Sequence, residues 1–201
     1  MDNDFGRKLT VLIDPGHGGK FPGACANGLR EAEYVLDLAF LLAAYFRSQG
    51  HVAFLTRDRD TNLGGTVSAD LEARCEMEKT LRPDLFLSLH CNAATNPQAH
   101  GFEVWTSPGQ RESDRVAEEI IQGFQAAFPY NKIRKDLADG DSDKEARFRV
   151  LVGTVGPAVL VEFGFLTNPE ESLWLRINRA RLACVVGAGA VAWWEAKHGS
   201  A

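Results

Sequence analysis

The sequence has no paired cysteines, no surplus of basic residues, no long apolar run and no internal repeat, and each absence closes a class of function. Its four cysteines (Cys25, Cys75, Cys91, Cys184) are scattered with no C-x-x-C among them. That pattern argues against a zinc knuckle and against a disulfide framework, so reduced thiols and synthesis in the cytoplasm are expected. Lys and Arg number 22 against 27 Asp and Glu, a formal charge of -5, which leaves no basic footprint for nucleic acid or an anionic membrane. The opening stretch MDNDFGRKLT carries acids where a secretory signal carries bases and lacks an apolar core, so no signal peptide is expected. The most apolar later stretch, Ala183 to Trp194, is too short to span a bilayer and reads as a packed helix.

What is present is ordinary globular material. With 201 residues, 45% of them apolar, the chain suits one domain over 1–201, its core running from about Leu9 to Ala192. Apolar, β-branched runs at Leu9–Ile13, His51–Thr56, Asp84–Leu89, Gly101–Thr106 and Ala158–Val161 read as strands. Helical periodicity lies between and after them, at Glu31–Gln49, Asp70–Leu81, Arg111–Ala127 and within Asn178–Lys197. Strand and helix in alternation predict an α/β fold, a three-layer αβα sandwich around a mostly parallel sheet. The polar segment from Asn131 to Arg147 interrupts the alternation, as a flap or as a long surface loop.

In such a sheet, ligands bind beyond the carboxyl ends of the strands. Four imidazole or acid side chains stand there: His17 in VLIDPGHGG, His90 in LFLSLHCNA, Glu162 in AVLVEFGF, and Glu31, which opens a helix. Glu31 lies four residues before Val35 and so shares the apolar face marked by Val35, Leu38, Ala39, Leu42 and Phe46. A carboxylate aimed at a sheet is costly unless it is paired or bound to metal, and an acid favoured by the helix dipole is an equally good reading of Glu31 alone. Alone, His17 would read as a loop residue bonded to backbone. Pro15, Gly16, Gly18 and Gly19 instead let the backbone pass close to something while fixing the imidazole. His90 must satisfy two ring nitrogens at the end of a buried strand, and Glu162 needs a cation or a reacting group. Two histidines and a carboxylate suffice for catalytic zinc with water in the fourth position, and a second carboxylate can take that water's proton. The spacing is not H-E-x-x-H. It leaves open which carboxylate binds metal, and the chemistry alone stops at a zinc hydrolase.

VLIDPGHGG, REAEYVLDLA, DLFLSLHCNA and PAVLVEFGFLTNPEE, in this order, resemble the zinc-dependent N-acetylmuramoyl-L-alanine amidases of the Amidase_3 type, from about Leu9 to Ala192. The resemblance implies a twisted sheet of about six strands. It also implies hydrolysis of the amide between the lactyl group of N-acetylmuramic acid and L-alanine in peptidoglycan, at the cell wall. By motif match, His17, Glu31 and His90 resemble the family's Zn2+ ligands and Glu162 its catalytic glutamate. Cys91 stands where alanine is usual and, next along the strand, should point away from the metal. Glu78 replaces a common asparagine and Val152 a common arginine; either change is expected to alter substrate contacts, and neither to touch the four site residues. No blocking helix is expected between the fourth and last strands, hence constitutive activity and no obligatory activator; the oligomeric state is left open, with a monomer favoured. Asp14 reads as a support for the site or as a turn residue, and His51, His100 and His198 as surface or strand-edge residues. Trp105 and Trp174 read as core or as sugar and peptide contacts. The rival readings are a zinc peptidase or carboxypeptidase of similar architecture and a non-catalytic wall-binding module.

Overall fold

A computed structural model describes residues 7–109, 111–138 and 140–199. Six strands form the main sheet: β1 (Thr10–Pro15), β4 (Val52–Leu55), β5 (Leu85–Asn92), β6 (Glu103–Thr106), β7 (Lys144–Glu145) and β8 (Ala158–Phe165). Their order is β4-β1-β5-β8-β6-β7. The first four of that order run parallel, β6 is antiparallel to β8, and β7 follows β6. A small hairpin of β2 (Cys25–Ala26) and β3 (Leu29–Arg30) precedes the first helix.

The helices are α1 (Glu31–Ser48), α2 (Val67–Leu81), α3 (Glu112–Ala127), the single turn α4 (Arg149–Val152) and α5 (Pro169–His198). Alternation along the strands sends Val11, Ile13, Leu87, Leu89, Val159 and Val161 to one face. There they meet Leu38, Leu42 and Phe46 of α1, Ile120 and Phe124 of α3, and Val186 and Trp194 of α5. Leu12, Phe86, Ala158 and Leu160 pack on the other face with Val150 and Leu151 of α4 and Leu71 and Met77 of α2. The predicted three-layer αβα architecture is what the chain adopts.

The differences from the sequence reading are local. β5 and β8 run past their expected ends, so His90 and Glu162 lie within strands rather than after them. α5 begins nine residues before Asn178, because Asn168 caps Glu170 and Glu171 at 3.0 and 3.1 Å and Pro169 takes the first helical position. Part of the polar 131–147 segment extends the sheet: Ile133 bridges Phe102, and β7 pairs with β6. Trp174 is partly buried and packs against the core through Phe128.

Candidate functional site

The loop after β1 is built by two arginines buried beneath it. Arg57 donates through Nε to the carbonyl of Pro15 at 2.9 Å and through Nη2 to those of Gly16 and Ala32 at 2.9 and 2.7 Å. Arg74 donates to the carbonyls of Pro15 at 2.9 Å and His17 at 2.7 Å. Asp14 and Asp70 anchor Arg74 at 2.6 and 2.9 Å, and Thr56 and Ser88 donate to Asp14 at 2.6 and 2.8 Å. These partners hold Asp14 ionised: burial opposes its charge, but the Arg74 charge and the three donors outweigh it and lower its pKa. Neither arginine stood out in the sequence, because a guanidinium that clamps distant carbonyls leaves no periodic trace.

Clamped this way, the chain tolerates His17 at φ 62°, a left-handed conformation a non-glycine residue avoids unless its surroundings fix it. Gly16 is required beneath it, since a Cβ there would lie 2.2 Å from Cε1 of His90. Gly23, at φ 67°, lets the loop return past Glu31, where a Cβ would lie 2.5 Å from Oε2.

Three of the four expected residues converge. His17 Nε2 lies 3.1 Å and His90 Nδ1 2.9 Å from the same oxygen, Glu31 Oε1. The ligand-type atoms of the three residues all lie within 4.8 Å of one another, and no other such set occurs among the described residues. The backbone amides of Cys91 and Ala24 donate to the two oxygens of Glu31 at 3.0 and 2.8 Å, fixing the carboxylate. Burial resists its ionisation, yet the hydrogen bonds and charge of both imidazoles hold its pKa below the usual carboxylate range. Two ring nitrogens and a buried carboxylate aimed at one small volume form a donor set that fits zinc.

Glu162 is the direct neighbour of His90 across the parallel β5–β8 pair and of Glu103 across the antiparallel β8–β6 pair, so all three share one face of the sheet. Its Oε2 is shut away from solvent with no hydrogen-bond partner. Burial, with the charges of Glu31 and Glu103, raises its pKa well above the usual range. A carboxyl in that state is suited to carry a proton.

Cys91 turns to the opposite, apolar face, as expected. Glu78 lies apart from the four site residues, as expected: it is buried and accepts from Val155 and Gly156 at 3.0 and 2.9 Å. Val152 is exposed at the end of α4. Asp14 is an internal anchor for Arg74 rather than a turn residue. His51 sits at a strand edge, accepting from the amide of Leu9 at 3.4 Å, while His100 is exposed and His198 lies against Trp194.

The sequence profile of the Amidase_3 family, described as N-acetylmuramoyl-L-alanine amidase, matches residues 11–188. The chain belongs to this family. It is 31% identical over 191 residues to the N-acetylmuramoyl-L-alanine amidase LytC of Bacillus subtilis, covering 92% of this chain but 36% of that protein. Among solved structures, an N-acetylmuramoyl-L-alanine amidase of Clostridium difficile 630 matches with a TM-score of 0.84 at 26% identity, over 96% of this chain and 100% of that one. The CwlD amidase of Clostridioides difficile, solved in complex with the GerS lipoprotein, shares the fold at a TM-score of 0.86 and 22% identity, over 94% and 100% of the two chains.

Proposed function

We propose that this chain is a single-domain, zinc-dependent amidase that hydrolyses the bond between N-acetylmuramic acid and L-alanine in peptidoglycan, and so acts at the bacterial cell wall. The observation that carries the reading is the convergence of His17 and His90 on Glu31 Oε1, with Glu162 one strand away. His17, Glu31 and His90 are the residues that would hold the ion. When bound there, zinc supplies Lewis acidity and lowers the pKa of a water to about 7. Glu31 is held by two amides in the orientation a ligand needs. Glu162, paired with His90 across β5 and β8, takes a proton from water and delivers it to the departing nitrogen of the L-alanine.

The pocket beside these residues, about 410 Å³, is lined by Gly16, His17, Phe21, Leu71, His90 and Val150. The side chains of His17 and His90 remain 32% and 19% exposed, so substrate reaches them without displacement of a covering segment. That access supports activity without an activating partner. No helix among the described residues is long and apolar enough to cross a membrane.

The test is zinc content together with mass spectrometry of peptidoglycan digested by the purified chain, with and without chelator. The reading requires free stem peptide and intact glycan as products, abolished by chelation. Cuts inside the peptide would instead identify a peptidase.

A further inference from the structure

Beyond Glu162, on the side away from the histidines, the sheet carries a second charged group. Glu103 begins β6 directly opposite Glu162, and its carboxylate is buried. Two cations serve it. Arg134 contacts Oε1 through Nε, and Lys144 Nζ lies 3.2 Å from Oε2. Glu103 thus lies between two cations, and the charge of Glu171 also acts on Arg134.

Both cations are held in place before any ligand arrives. Lys144 lies over the Trp105 ring at 4.8 Å, and Arg134 over Phe165 at 5.2 Å. The stem of Arg134 runs through space left by Gly101 at φ 121°, where a Cβ would come within 2.9 Å of the arginine Cγ. Glu171 accepts from the Gly101 amide at 2.8 Å and fixes that passage. The side chains of Arg134 and Lys144 are 32% and 20% exposed. Glu103 occupies only Nε of the guanidinium, and both Nη groups lack a hydrogen-bond partner among the described residues. A planar fork with its far edge free and its near edge pinned is the geometry that receives a carboxylate.

We propose that Arg134 and Lys144, pinned by Glu103 beside Glu162, form a subsite for a carboxylate of the stem peptide on the leaving side of the scissile amide. The proposal rests on the amidase reading above. The direction follows from the order of residues across the sheet: His17 on the β1 loop, His90 on β5, Glu162 on β8, Glu103 on β6. The nitrogen that receives the proton of Glu162 must sit at Glu162, so the peptide attached to it continues across β6. Strands are ~4.8 Å apart, and an extended peptide advances ~3.3–3.6 Å per residue. A carboxylate on the second residue of the stem therefore falls within reach of the pair.

The experiment compares two matched muramoyl peptides, one with a free carboxylate on the second stem residue and one with a carboxamide there. The zinc-loaded chain is expected to favour the carboxylate in kcat/KM by about 10- to 100-fold, the range of a charge-assisted pair. Arg134→Gln should collapse that ratio toward unity, while the distant Arg181→Gln keeps it. Lys144→Gln is the second test variant, because Arg134 then still pairs with Glu103 and protects the fold. No preference in the parent chain, or an unchanged ratio in both subsite variants, overturns the proposal. Cleavage of neither peptide overturns the amidase reading instead. The subsite is then read by calorimetry with the two free stem peptides, where equal affinities overturn it and a preference lost in Arg134→Gln upholds it.

Discussion

The imidazole of His90 occupies the space a side chain on Gly16 would need, with Cε1 only 2.2 Å from where the Cβ would stand. The β1 loop and the end of β5 therefore interlock through a missing methyl group. Gly16→Ala must push the ring away from Glu31. It should weaken zinc binding by about 10- to 100-fold, the usual effect of disturbing a ligand's orientation. Competition with a chromogenic chelator measures this, and unchanged affinity would show that the ring has room to give.

The proposed roles separate metal binding from proton transfer. Glu162→Gln should retain zinc and lose hydrolysis by about 10²- to 10⁴-fold, whereas His90→Ala should lose zinc. Metal analysis and muropeptide release on the same preparations check both, and full activity in either variant would sink the assignment.

Arg74 bears on stability as well as on the loop. Its side chain and that of Asp14 are almost completely buried, and they meet at 2.6 Å. Arg74→Met leaves Asp14 charged in the interior, which costs about 3–5 kcal/mol. The double variant with Asp14→Leu should recover part of that loss, because no buried charge remains. Denaturant unfolding of the single and double variants gives the comparison.

Away from the site, Asp143 should make stability depend on pH. Burial, with the charges of Asp141 and Asp114 set against a hydrogen bond from Thr106, pushes its pKa up to about 8 from an ordinary value near 3.8. The folded state thus holds a proton that the unfolded state releases. This contribution is full below about pH 4 and is lost as pH rises toward 8. Asp143→Asn should accordingly raise the melting temperature more at pH 8 than at pH 5, and an equal effect at both would contradict the shift.

Much of this was legible in the sequence because it depends on pattern. The periodicities of 2 and 3.6 located β1, β4, β5 and α1 to within about three residues, and the strand-end rule drew attention to His17, His90 and Glu162. The rest depends on partners distant in sequence. β8 continues through Glu162 because its backbone still pairs with β5 and β6, although a charge there looks like a strand's end. β7 exists only because β6 offers it an edge. Arg57 and Arg74 gain a role only through carbonyls distant in sequence. Glu103 escaped the strand-end rule because β6 runs backwards and presents its beginning to the rim where β8 ends. The start of α5 was present as Asn-Pro-Glu-Glu but was outweighed by the later apolar run.

The reversal of strand direction between β8 and β6 also places Glu162 at the junction of a parallel and an antiparallel part of the sheet. Residues 17, 31, 90 and 162 sit on or beside the parallel strands, which the helices on both faces constrain. Arg134 and Lys144 come from the segment that adds β7 at the sheet's edge. A change of length or charge in that border therefore reaches the centre through Glu103, whose charge raises the pKa of Glu162, so it alters the proton affinity there while leaving His17, Glu31 and His90 on their own elements.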